Sequence, residues 1–505
     1  MRARFLTRTF MVCVLGALFL SGSAFAQQTW QAKVTINWDK VRRVSKTTPT
    51  YQIVATKLQR PHSPIHDQIC AAMRDLPAEY VRFQSWFAWP KLAVAELEAP
   101  HDGKTHWDFS SMDPIVVDFL EATKGHQIIL DLATIPQWMF KTPKPVSYPA
   151  DPDQMDYDYE QGTELRDPSM KEVADYFARL ASWYTQGGFM DEYGQWHASG
   201  HHYKVDYWEV LNEVESEHQM TAETYTALYD AVVEAIRRAD PQMKFVGMPY
   251  EGGSTGVARL EYFLDPKNHK PGVPLDMISY HFYATPGADE DPYVQQFTLF
   301  EQTRQFLSEV RYVEDIRQRL SPQTQTTIDE FGIISADDLL QNEPGHVSKP
   351  ISDSYWNLSA AMYAYAFNEL SGMGIEAVGM SSGIAYPDNN FPSVTMLDWN
   401  TGQPNARYWA LKLLIDNLGP GDKRVATTVS LSFIAARAYI TPGGKHKVLL
   451  VNMRDRPFEV SIPGIKGATE QYVNQSTSFH PAASRTVDGD KVVLQGFEVC
   501  ILTLG

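Results

Sequence analysis

The 505-residue sequence predicts a (β/α)8 barrel followed by a small C-terminal antiparallel β-sandwich. Three observations carry this expectation. Short runs rich in β-branched residues alternate with longer amphipathic segments, eight of each. The runs are almost continuously apolar, as strands covered on both faces must be. No G-x-G-x-x-G follows the first run, which sets the pattern apart from a doubly wound dinucleotide-binding sheet.

Taken in order, residues 1–26 stand apart. Arg2, Arg4 and Arg8 precede an apolar run at 10–20, and Ala24-Phe25-Ala26 offers a small-x-small cleavage site. The run is too short to cross about 30 Å of hydrocarbon, so it predicts a signal peptide cleaved after Ala26 and a secreted or periplasmic protein. Segment 27–50 holds a strand-like stretch at 30–39, a candidate to pair into the C-terminal domain. The barrel is expected over 51–418, with strands at 51–55, 80–84, 127–133, 205–212, 244–248, 276–283, 326–331 and 375–380. Helical patterns fall at 66–74, 114–123, 170–185, 222–238, 257–264, 300–320, 354–369 and 405–417. The long, Pro-rich, acidic connection at 141–167 is expected to shape a cleft. Beyond 418, β-rich runs at 425–440, 447–453, 458–462 and 492–504 are divided by Pro442-Gly443-Gly444 and Asp488-Gly489-Asp490. They predict the sandwich over 419–505.

Composition narrows the function. The formal charge is −17, and loss of the three leader arginines takes it to −20. Such a chain is a poor partner for nucleic acid or anionic membrane. No second apolar stretch is long enough for membrane insertion. After the leader only Cys70 and Cys500 remain, which allows no disulfide framework and reads as two buried thiols. There is no phosphate-cradling Gly loop and no G-x-S-x-G elbow. His197, His201 and His202 lie close together in a Gly-Ser-rich loop without an accompanying ligand motif, so neither metal nor cofactor is expected. Aromatic residues make up 12% of the chain, on the high side; core packing accounts for most of it, and sugar-binding clefts also use flat aromatic faces.

Two strand ends carry the chemistry. Trp208-Glu209-Val210-Leu211-Asn212-Glu213 ends the fourth expected strand, and Ile328-Asp329-Glu330-Phe331-Gly332 ends the seventh. Barrel enzymes keep their reacting groups at the C-terminal strand ends, and strands four and seven face each other across the mouth. Two opposed carboxylates suit glycosidic cleavage, one protonated to donate to the leaving oxygen and one ionised to attack the anomeric carbon. Asn212 is placed to hydrogen-bond the sugar's 2-hydroxyl. On strand six, alternation puts His281 and Tyr283 on one side and Tyr280 on the other. Arg82 on strand two is a candidate to hold Glu330 ionised, and Trp138, Trp86 and Trp89 follow strand ends as candidate stacking surfaces.

The pattern resembles clan A of the glycoside hydrolases, and within it family 39, the family of β-xylosidases and α-L-iduronidases. Supporting stretches are Tyr80-Val81-Arg82-Phe83, Trp107-Asp108-Phe109-Ser110, Ile135-Pro136-Gln137-Trp138-Met139 and Asp276-Met277-Ile278-Ser279-Tyr280-His281-Phe282-Tyr283. The resemblance implies that Glu213 is the general acid/base and Glu330 the nucleophile of a retaining enzyme. Asn212, Arg82, His281, Tyr283 and Trp138 would then serve the substrate, an oligosaccharide or polysaccharide. It points first to an exo-acting β-xylosidase-like enzyme on a neutral β-linked sugar. A uronidase, another hexosidase or an endo-acting enzyme stays open, as does a polysaccharide-binding barrel without activity. Two positions depart from the family pattern. Gln84 stands where relatives often carry His, and strand eight ends in Met380-Ser381-Ser382-Gly383 without the Trp platform of many clan members.

Overall fold

The computed structural model describes residues 30–157, 162–252, 254–341, 343–387 and 390–505. The expected signal peptide lies outside these residues. Eight parallel strands close into a barrel: β1 (Thr48–Val54), β2 (Tyr80–Ser85), β3 (Gln127–Leu132), β4 (Tyr207–Glu209), β5 (Lys244–Tyr250), β6 (Met277–Ala284), β7 (Gln325–Ile333) and β8 (Ala377–Met380). Helices on the outside return the chain between strands, the longest being Pro292–Leu320, capped by the Asp291 carboxylate on the Tyr293 amide.

The barrel interior is layered. At the N-terminal end Tyr80, Ile129, Tyr207, Val246, Met277 and Ala377 form an apolar plug. Two residues further along β2, β3, β4 and β6, strand alternation returns to the same face and the side chains become Arg82, Asp131, Glu209 and Ser279. The intervening residues face outward; Trp208, for example, meets Phe177 of helix Lys171–Thr185 edge-on. The plug excludes water below, and the polar layer above it becomes the floor of the mouth.

Two strand ends depart from regular pairing. In β7, Thr327 pairs with Ser279 and Glu330 with His281, three residues against two, and the same excess recurs against β8. This bulge turns both Asp329 and Glu330 inward. The sequence pattern extends the fourth strand to 212, but the paired strand stops at Glu209. Leu211 (φ 64°) and Glu213 (φ 35°) adopt left-handed backbone that no strand accommodates.

Beyond the barrel a nine-stranded sheet takes in Trp30–Val44 together with eight C-terminal strands. Trp30–Val44 runs antiparallel to Lys423–Val429 and parallel to Phe458–Ser461, joining two limbs. Phe458, Val460, Val492 and Leu494 of one limb share a core with Ala436, Ala438, Val448 and Leu450 of the other, as in a sandwich. The runs at 425–440 and 492–504 each break into two strands, and Thr469–Val473 and Ala483–Thr486 add strands that the apolar pattern does not show. Cys70 and Cys500 are buried free thiols. No helix among the described residues is long and apolar enough to cross a membrane.

Candidate active site

Arg82 organises the floor of the mouth. Its guanidinium, 1% exposed, donates to Glu209 (2.6 Å), Gln52 (2.7 Å), Glu330 (2.6 Å), Asp131 (2.8 Å) and Asn212 (3.0 Å), and lies 3.5 Å from Asp329. Its rigid fork of donors is what allows one cation to hold so many oxygens in place. Removing it would leave several buried carboxylates without a counter-charge, a change that costs about 3–5 kcal/mol for even one broken buried pair.

Above this floor stand the two glutamates. An oxygen of Glu213 lies within 4.8 Å of an oxygen of Glu330, with His281 between them. His281 Nδ1 meets Glu213 Oε1 at 2.9 Å, and Nε2 faces Asp329 Oδ1 at 3.3 Å. Tyr283 donates to Glu330 Oε2 (2.6 Å) and sits 2.5 Å from the Ser381 hydroxyl, which in turn accepts from Gln52 (2.7 Å). Glu330 is therefore gripped by Arg82 on one oxygen and Tyr283 on the other. Glu213, His281 and Glu330 also have the residue types and proximity of a metal-ligand trio. In this arrangement the His281 ring is engaged with carboxylates on both nitrogens.

The surroundings separate the two carboxyls. Burial alone would raise Glu330, but the charges of His281 and Arg82 and the Tyr283 hydroxyl overcome it and hold the group below the usual carboxylate range. Burial also raises Glu213; its bond to His281 works against this without cancelling it, and the charge of Glu330 pushes the same way as burial. Burial drives Asp131 and Glu217 well above the usual range and Glu209 to about 7. Burial works against the charge on His281, yet Glu330, Asp329 and Glu213 hold the imidazole well above its ordinary value. Asp329 and Glu330, shifted toward ionisation, thus sit beside Arg82 and His281, shifted toward the charged form, while burial holds Glu213 above its ordinary range.

The cavity over this pair measures about 630 Å³, a size suited to a small ligand. Gln84, Ser381, Ser382 and Asn390 line it on the β8–β1–β2 side, and Ser216, Glu217, Glu251 and Thr285 on the β4–β6 side. Trp86, Phe87, Tyr157 and Phe391 form an aromatic rim in which Trp86 meets Tyr157 edge-on at 5.4 Å. No Lys or Arg lines the cavity among the described residues.

Of the residues singled out from sequence, Glu213, Glu330, Asn212, Arg82, His281 and Tyr283 come together here. Trp138 does not. Its indole nitrogen donates to the Glu96 carbonyl (2.8 Å) and Arg166 covers its face at 4.4 Å, so packing occupies the ring. Trp89 is fully buried, and of the three tryptophans only Trp86 reaches the cavity. His197 pairs with Asp191 and His201 lies 3.4 Å from Asp113, each serving the loop fold. Sequence reading missed Glu209, Asp131, Asp329 and Glu217. Glu209 and Asp131 carry a signal, since a lone acid inside an apolar strand must meet a buried partner.

The family model for glycosyl hydrolases family 39 matches residues 33–332, more than half of the chain, and the protein belongs to that family. It is a glycosidase with a carbohydrate substrate. No curated protein matches the sequence. Among solved structures, a GH51 arabinofuranosidase from Xanthomonas axonopodis pv. citri is similar at 12% identity, over 94% of this chain and 100% of that one, with a TM-score of 0.63. An α-L-arabinofuranosidase from Thermotoga maritima matches at 13% identity over the same shares, with a TM-score of 0.61. The catalytic domain of GH30 xylanase C from Talaromyces cellulolyticus matches at 13% over the same shares, with a TM-score of 0.58. At these identities the likeness is one of fold.

Proposed function

We propose that this family 39 enzyme is an exported, retaining, exo-acting glycosidase that releases a neutral β-linked sugar, with β-xylosidase-like activity the first candidate. The observation that carries the mechanism is the separation of Glu213 and Glu330, whose oxygens approach within 4.8 Å. A pair this close favours direct attack by one carboxylate on the sugar, since inverting enzymes hold theirs about 6.5–9.5 Å apart to admit a water. Glu330, held ionised by Arg82 and Tyr283, attacks the anomeric carbon. Glu213 protonates the leaving oxygen, then takes a proton from the water that releases the sugar.

The neutral-sugar reading is supported by the cavity lining, which among the described residues offers amides, hydroxyls and acids but no Lys or Arg to receive a uronate. The exo reading draws on the rim. Loops after β2, β3 and β8 supply Trp86, Tyr157 and Phe391, which meet on one side of the cavity and bound it there. Export draws on the N-terminal basic and apolar pattern at 1–26.

The test is hydrolysis of aryl β-xyloside, β-galactoside, β-glucoside, α-L-arabinoside and α-L-iduronide by the mature protein. Glu330→Gln is expected to lower turnover of the preferred sugar by roughly 10³-fold or more. Glu213→Gln should cost about 10²–10⁴-fold, least with good leaving groups. Turnover of the iduronide alone would overturn the neutral-sugar reading, and full activity in Glu330→Gln the mechanism.

A further inference from the structure

A third glutamate stands beside the reacting pair. Glu213 opens a single helical turn in which the Glu217 amide donates to the Glu213 carbonyl (2.9 Å), and this turn brings Glu217 back over Asn212. Asn212 Nδ2 donates to Glu217 Oε1 at 3.1 Å, while Asn212 Oδ1 accepts from Arg82. Arg82 can only donate, so the Asn212 amide has one allowed orientation, with its NH2 group toward Glu217 and the cavity. One hydrogen of that group is spent on Glu217 and the other remains for a ligand. Glu217 lines the same cavity, and its second oxygen has no protein partner among the described residues.

Resting on the glycosidase reading above, we propose that Glu217 is a second contact to the sugar's 2-hydroxyl and, with Asn212, makes a free hydroxyl at that carbon a requirement of the site. The carboxyl accepts from Asn212 through Oε1 and gives its own proton to the hydroxyl oxygen through Oε2. That oxygen then accepts from both Asn212 and Glu217, and its own hydrogen is free to point at the Glu330 carboxylate. Burial first, and the charge of Glu330 with it, push Glu217 well above the usual carboxylate range, toward the protonated form this needs. A 2-deoxy sugar would leave both donors unpaired in a buried site, and a 2-acetamido sugar would collide with them.

The experiment compares the wild type, Glu217→Ala and Glu217→Gln on the preferred aryl glycoside and its 2-deoxy analogue. Glu217→Ala is expected to lose about tenfold or more in kcat/KM on the hydroxylated substrate and less than about threefold on the deoxy one. Glu217→Gln keeps an acceptor for Asn212 and an N–H for the hydroxyl, and is expected to stay within about threefold of wild type on both. Equal losses on the two substrates in Glu217→Ala, or a Gln variant as selective in its loss as the Ala variant, would overturn the proposal. Should Glu217→Ala fail to fold, Glu217→Asp withdraws the same group by one methylene and carries the same comparison. A wild type inactive on every glycoside would overturn the underlying reading and this proposal with it.

Discussion

Glu213 and Glu330 are the same side chain in two environments, and their difference is the substance of the site. Both start from an ordinary value of 4.5, with Glu330 displaced downward and Glu213 upward. Activity requires Glu330 ionised, so it should persist as pH falls until the medium is more acidic than 4.5. It also requires Glu213 protonated, so it should fall as pH rises through a value above 4.5. The profile of kcat/KM is therefore expected to be bell-shaped. Glu213→Gln, assayed on a dinitrophenyl glycoside whose leaving group needs no acid, should lose the alkaline limb and keep the acidic one. An alkaline limb surviving in that variant would assign it to another group. At this scale much was legible, because Asn212-Glu213 and Asp329-Glu330 are polar pairs at the ends of apolar strands. Glu217 was not, since its place over Asn212 depends on a turn that opens at left-handed Glu213. Trp138 misled because position after a strand does not say whether a ring faces the cavity or the loop beneath it.

The elements explain why so few residues can be moved. The eight barrel strands and the helices between them follow closely from the alternation of apolar runs, because each run is buried on both faces. Local irregularities do not follow, and these aim the side chains. The β7 bulge is one; no residue in Thr326-Thr327-Ile328-Asp329 announces it, and it exists because β6 and β8 pair on either side with one residue fewer. Gly379 on β8 lies against it. A Cβ at Gly379 would stand 2.6 Å from the Asp329 carbonyl oxygen, inside contact with backbone that cannot swing away. Gly379→Ala should therefore displace the strand that presents Asp329 and Glu330, lowering kcat/KM by about 10- to 100-fold while circular dichroism is preserved. Gly443→Ala, in a turn where an added Cβ meets only the Thr441 hydroxyl at 3.9 Å, is the control expected to change nothing. A fully active Gly379→Ala enzyme would show that the close packing of β8 on the bulge does not fix the nucleophile.

At the scale of the whole molecule, the nine-stranded sheet is tied to the barrel through alternate residues of the same strands. Leu449, Val451, Val499 and Ile501 belong to the apolar core that includes the barrel helices, whereas Val448, Leu450, Cys500 and Leu502 belong to the sheet's own core. Arg424 and Arg43 extend the junction, donating to the carbonyls of Asn368, in the last turn of helix Asp353–Leu370, and of Gly372 just beyond it. Trp30–Val44 adds a topological tie, because the strand that enters the sheet leads directly into β1. The apolar pattern at 30–39 suggested this pairing from sequence, but the double use of the C-terminal strands was hidden, since runs buried on both faces look alike whichever core they serve. A molecule joined this way should unfold as one unit. Val34, fully buried in the sheet's core and remote in sequence from the glutamates, tests it. Val34→Asp places an unpaired carboxylate where burying the valine side chain contributes about 1.5–3 kcal/mol, and should lower the urea midpoint. Loss of glycosidase activity and loss of far-ultraviolet dichroism are expected to shift together, in the variant as in the wild type. If activity outlasted the first dichroism change, the sheet would be melting alone, and the shared strands would not couple it to the barrel that holds Glu213 and Glu330.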